Sequence, residues 1–191
     1  MGNILNAEEM TVGDYLRLSD SKPSLNIPFS QRPYVWGNDE ISRFWNDLMK
    51  VLKKQEEQHI LNFFTLYNEE KTRSLYIYDG QQRTITSQIL LCSLANIYND
   101  FYKQTQIEDF MAAHQEIKEE YIVKKARFGS NKGSKNFKIR FDSDDLNNFF
   151  EEYIINGAEC VNIEEIKNET KTNLISTYTY FKQKINKFIE S

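Results

Sequence analysis

Residues 74–101 carry a change of pattern that few folds accommodate. Ser74 to Tyr78 is a short run of aromatic and branched residues of the kind that fills strands, and Asp79-Gly80 ends it. From Thr84 onward Ile85, Ile89, Leu90, Leu94, Ile97, Tyr98 and Phe101 keep helical spacing for about five turns. The pentapeptide Asp79-Gly80-Gln81-Gln82-Arg83 is therefore expected where a strand feeds a helix. A helix start has N–H groups without intrahelical partners and a partial positive charge, so such a junction suits a phosphate. Gly80 permits close backbone approach, and Arg83 suits a charge-assisted, bidentate contact to phosphate. Gln81 and Gln82 supply amides to orient a base or a water, and Asp79 offers a carboxylate to a magnesium ion or an attacking water. The plain alternative is a turn glycine, a polar helix start and a solvated arginine.

The flanking pattern gives the other elements. Thr11 caps a short helix to about Ser19, and Leu25 to Pro28 is a brief extended segment stopped by proline. Asn38 caps a charged helix whose stripe of Ile41, Phe44, Trp45, Leu48 and Leu52 is expected to face the core. Ile60 to Tyr67 and Ser74 to Tyr78 read as two strands joined by a polar loop. An amphipathic helix over Ile107 to Val123, a loop over Gly129 to Gly133 and a short strand over Phe137 to Phe141 follow. Asp142 or Ser143 then caps a helix to Asn156 closed by Gly157, and Lys171 to Glu190 forms the last helix.

With 40% hydrophobic residues, 14% aromatic residues and three prolines in 191, the chain has the makings of a packed core. Cys92 and Cys160 lie far apart with no CxxC spacing, which fits a reducing cytoplasm. The longest apolar run, around Ile89 to Leu91, is too short to span a bilayer, so no membrane partner is expected. A net charge of −4 argues against a nonspecific grip on nucleic acid over the whole surface. Yet Lys124, Lys125, Arg127, Lys132, Lys135, Lys138 and Arg140 follow one another with no acid between them. This island, with Lys132, Lys135, Lys138 and Arg140 as its DNA contacts, is either a phosphate-backbone surface or a solvated loop.

A second motif precedes the first: Ile27-Pro28-Phe29-Ser30-Gln31-Arg32-Pro33-Tyr34-Val35-Trp36. Together with Asp79-Gly80-Gln81-Gln82-Arg83 it resembles the signature of the N-terminal domain family of GmrSD-type restriction endonucleases. The similarity extends through weaker blocks at Phe137 to Ile155 and Ser176 to Ile185, nearly the whole chain. This sequence departs from the family at His59-Ile60-Leu61-Asn62, where a glycine is usual, and at Arg83-Thr84-Ile85-Thr86, where Arg-Leu-Thr-Thr is commoner. Neither departure removes a charged group.

The resemblance implies an α+β fold related to ParB and sulfiredoxin. A small mixed sheet with its DGQQR motif at a strand-to-helix junction would occupy residues 1–105, and a mainly helical extension of the same domain residues 106–191. It also implies binding and hydrolysis of a nucleoside triphosphate with Mg²⁺, coupled to recognition of DNA, including modified phage DNA, in restriction. The alternative is a sensor of DNA backbone or modified DNA without hydrolysis. Gln31 and Arg32 would then face Asp79 to Arg83 across a nucleotide cleft. Arg32 is equally suited to phosphate and to a structural fork on a carboxylate such as Asp79. Tyr34 and Trp36 either stack a base or fill the core, and His59 is either a ligand contact or a packed histidine. Full-length relatives carry a nuclease domain with a His-Asn-His constellation, whereas His59 and His114 are the only histidines here. DNA cleavage is accordingly assigned to a C-terminal or separate nuclease partner; an end straight after an amphipathic helix suggests a fragment truncated before that domain, while continuation past Ser191 and oligomeric state stay open.

Overall fold

A computed structural model describes residues 7–18, 24–28, 33–69, 74–124, 137–158 and 166–190. Helix α1 (Val12–Arg17) is capped by the Thr11 hydroxyl, which accepts from the Asp14 N–H. Strand β1 (Leu25–Ile27) is followed by α2 (Asn38–Leu52). Its cap is Gly37 rather than Asn38, and Glu40 reaches back to accept from the Gly37 N–H. Strands β2 (Thr65–Glu69) and β3 (Ser74–Asp79) lead into α3 (Gln81–Thr105). Then come α4 (Glu108–Ile117), β4 (Ile139–Phe141), α5 (Asp144–Phe149) and α6 (Glu169–Ile189).

The result is mixed α+β with a small sheet in the order β2-β3-β1-β4. β2 and β3 pair antiparallel, while β1 is parallel to both β3 and β4. Strand periodicity sends Leu25, Ile27, Leu75, Ile77, Ile139 and Phe141 to the buried face. These join Ile85, Ile89 and Cys92 of α3 and Leu174, Tyr178 and Phe181 of α6 in one core. The C-terminal half of the chain thus supplies both an edge strand of the sheet and a helix packed on α3.

Helix α3 is buried on several sides, and much of what it buries is polar: Thr84, Thr86, Ser87, Gln88, Ser93 and Asn96. Two of these amides serve π-helical turns that extend α4 and α5, at Lys118–Ile122 and Phe150–Ile155. Gln88 Nε2 donates to the Tyr121 carbonyl at 3.0 Å, and Asn96 Nδ2 donates to the Ile154 carbonyl at 3.0 Å. The helices expected over Ile107 to Val123 and up to Asn156 therefore form, each finishing in a π turn that an amide of α3 completes.

Two expectations need correction. Only the first half of the α2 stripe is interior: Ile41 and Trp45 are buried and Phe44 partly so, whereas Leu48 and Leu52 are exposed. The helix meets α6 where Phe44 and Trp45 both contact the Phe181 ring, and the stripe runs on past that contact into solvent. Likewise the strand expected from Ile60 begins only at Thr65. Asn62 has a left-handed φ of 68°, and the carbonyls of Leu61 and Phe63 accept from Arg83 instead of a neighbouring strand. Trp45→Ala is expected to cost about 3–5 kcal/mol in urea unfolding, and Leu52→Ala no more than about 0.5 kcal/mol. Equal costs would show that the inward face of α2 has been misplaced.

Candidate functional site

β3 ends at Asp79, α3 begins at Gln81, and Gly80 joins them at φ 90°. In this left-handed conformation an added Cβ would lie 2.4 Å from Cδ1 of Phe64, so the position accepts only glycine. Phe64 packs on Tyr15 with ring centroids 4.6 Å apart. The Thr84 hydroxyl donates to the Gly80 carbonyl at 2.9 Å, which leaves its oxygen to accept from the Tyr15 hydroxyl at 2.8 Å. Burial pushes the Tyr15 hydroxyl up to about 12, so it keeps the proton this chain of bonds needs. No side chain caps α3 at Gly80, and its first turn carries no acid. The positive end of a 25-residue helix is thereby presented beside Asp79, whose side chain is 65% exposed.

Each remaining side chain of the motif holds a different piece of backbone. Gln81 is buried and donates to the Ile77 carbonyl at 2.7 Å, fastening the end of β3 to the helix. Gln82 accepts from the Val35 N–H at 2.9 Å and donates to the Pro33 carbonyl at 3.0 Å. Its amide thus pairs with residues two apart, as a neighbouring strand would. The terminal nitrogens of Arg83 donate to the carbonyls of Leu61 and Phe63, and its guanidinium lies over the Phe64 ring at 4.8 Å. Asp79 Oδ2 stands 3.7 Å from Arg83 Nη2. The motif therefore ties two loops, 33–36 and 61–64, to the first turn of α3.

The residues singled out in the sequence separate accordingly. Asp79, Gly80, Gln81, Gln82 and Arg83 do meet at the junction, and Gln82 brings the 33–35 end of the other motif against it. Tyr34 is a core plug: it is 2% exposed, and its hydroxyl is shared with Thr86 at 2.8 Å and Thr177 at 3.1 Å. Its ring is closed to a ligand in this structure. Trp36 is half-buried against Phe44. His59 sits between carboxylates, with Asp47 at 3.7 Å and Glu56 at 3.8 Å. Lys138 is not a surface cation: it is 1% exposed and donates to the Glu120 carbonyl, while Arg140 of β4 is exposed. Gln31, Arg32, Lys132, Lys135 and Cys160 lie outside the described residues.

A family model described as the N-terminal domain of GmrSD restriction endonuclease matches residues 12–191. The chain belongs to this family. No curated protein matches it. In this member of the GmrSD N-terminal family, the junction depends on residues that the sequence did not point to. Tyr15, Phe64 and Thr84 back Gly80, and Asn173 of α6 donates to the Tyr34 carbonyl at 3.1 Å. The only local signal was the run of aromatics before β2, and it read equally well as strand.

Gly80→Ala tests the built junction, since it combines a disfavoured φ with a clash against Phe64. A loss of about 2 kcal/mol, or roughly 4–8 °C in Tm, is expected. An unchanged melting temperature would mean that Phe64 does not lie against Gly80 in solution.

Proposed function

We propose that the start of α3 is the phosphate-binding floor of a nucleotide site, and that the domain binds and hydrolyses a nucleoside triphosphate within a restriction system. The observation that carries this reading is the uncapped, acid-free first turn of a long helix entered through a left-handed glycine, with an exposed carboxylate beside it. Backbone N–H groups of Gln81 to Arg83 would take the phosphates, with the charge of Arg83 next to them. Arg83 also holds loop 61–64, so its loss would weaken the site both directly and by loosening its wall.

Asp79 suits a magnesium ion bridged to the nucleotide. Mg²⁺ characteristically takes one or two carboxylates together with substrate phosphates and water, so a lone exposed aspartate beside a phosphate floor fits that mode. Among the described residues no group of three or more His, Cys, Asp and Glu side chains is placed to hold a metal by itself. Bound there, Mg²⁺ would neutralise developing charge on the transferring phosphate. Asp79 would orient the ion or the attacking water, while Gln82 and Arg83 keep the loops in place.

Family membership supports coupling of this site to DNA, with cleavage left to a nuclease domain beyond the residues that carry these motifs. The exposed Arg140 on β4 is a candidate DNA contact, as are Lys132 and Lys135 by their sequence position.

The deciding experiment incubates the protein with each of the four nucleoside triphosphates and Mg²⁺, with and without DNA. Mg²⁺-dependent phosphate release is expected. Asp79→Asn should abolish turnover while leaving nucleotide affinity within a fewfold, whereas Arg83→Ala should lower affinity about tenfold to a hundredfold, or roughly 1.5–3 kcal/mol. Absence of both binding and turnover in the wild type would overturn the reading.

A further inference from the structure

The sheet turns one face to the core, and on the other, open face Tyr67, Tyr78 and Arg140 are exposed among the described residues. On the open face a single row crosses all four strands in register: Tyr67 opposite Tyr76, Tyr76 beside Asn26, and Asn26 beside Arg140. Tyr78 stands on the same face of β3, one pleat further along. Tyr67 is 56% exposed and Tyr78 68%, Arg140 is exposed, and Tyr76 is half-buried. A cross-strand pair accounts for Tyr67 and Tyr76 as ordinary hairpin stabilisation. It does not account for Tyr78, which stands opposite the irregularity between Thr65 and Leu66 and, among the described residues, packs on no other ring.

We propose that this face is a base-stacking surface for single-stranded DNA. The inference rests on the DNA half of the reading above and not on its nucleotide half. Tyrosine rings on an open sheet offer a stacking plane that every base can use. Spacing selects the strandedness: Tyr76 and Tyr78 are two strand rises apart, about 6.6 Å, whereas bases in a duplex strand follow at about 3.4 Å. Only an unstacked strand can lay successive bases on successive rings. Charge selects the path. Arg140 is the cation of the row and lies three strand spacings from Tyr67, about 14 Å, on the far edge. Glu69, two residues beyond Tyr67, and Asp142, two beyond Arg140, place acids off the row. A phosphate is therefore directed to the Arg140 guanidinium, with the bases towards the tyrosines.

The test uses the whole chain with a fluorescein-labelled oligothymidylate, against a duplex of the same length, by anisotropy at several salt concentrations. The single strand is expected to bind more tightly than the duplex. Tyr78→Ala and Tyr67→Ala should each weaken it about fivefold to a hundredfold. Arg140→Gln should lower the salt slope by about 0.7. All three side chains lie on the open face, so melting temperatures should stay near wild type, and nucleotide titrations should be unchanged in every variant. Three results would overturn the proposal: no binding of the single strand, affinity unaffected by either tyrosine, or a wild-type dimer that Tyr67→Ala and Tyr78→Ala convert to monomer, which would assign the face to a second copy. Each is compatible with intact nucleotide binding, whereas a wild type that binds no nucleotide would remove the site at α3 and leave the sheet proposal standing.

Discussion

The Gln82 amide, bonded at once to the Pro33 carbonyl and the Val35 N–H, is the contact on which the arrangement of this domain turns. One residue later Arg83 does the same for the other loop, through the carbonyls of Leu61 and Phe63. Loops carry unpaired backbone groups and are ordinarily the softest part of a fold. Here their polar groups are paired by side chains that leave a helix start, and α3 is anchored on several sides in the core. The geometry of the loops is thereby inherited from a helix buried on several sides. Asn173 and Thr177 extend the same logic to α6, which fixes Tyr34 between the two helices.

This division of labour separates two meanings of the motif. Residues that look suited to phosphate by chemistry, an arginine and two glutamines, are largely occupied with backbone. What stays exposed is the Asp79 carboxylate, beside a first turn of α3 that no side chain caps. A site of this kind binds through main-chain N–H groups, whose positions are preorganised and cost no side-chain entropy. The demand for glycine at 80 follows from Phe64, which closes over the backbone there.

Much of this was legible from residue pattern. The strand-to-helix placement of residues 74–101, the Thr11 cap and the last helix follow from periodicity and capping chemistry, which are local. Pattern and structure part where long-range contacts override local preference. Leu48 and Leu52 share a helical stripe with Trp45, yet the stripe outruns the surface of α6. Ile60 to Phe64 has strand composition, yet a guanidinium from a distant helix claims its carbonyls. Lys138 belongs to a basic run, yet it sits at the entry to β4, where its ammonium finds the Glu120 carbonyl of a π turn. No sequence window contains both partners of any of these contacts. Charge runs and apolar stripes name candidates, and the topology decides which of them face water.

In the proposed site, phosphate is received by the main chain at the first turn of α3, with Gln82 and Arg83 acting as its frame. The most direct measurement follows backbone amide chemical shifts as inorganic triphosphate with Mg²⁺ is added to the protein, a probe that has no base or sugar to bind elsewhere. Saturable changes are expected, largest at Gln81, Gln82 and Arg83, with smaller ones at Val35 and Phe63. Saturable changes confined to other segments, with these three amides unmoved, would contradict it.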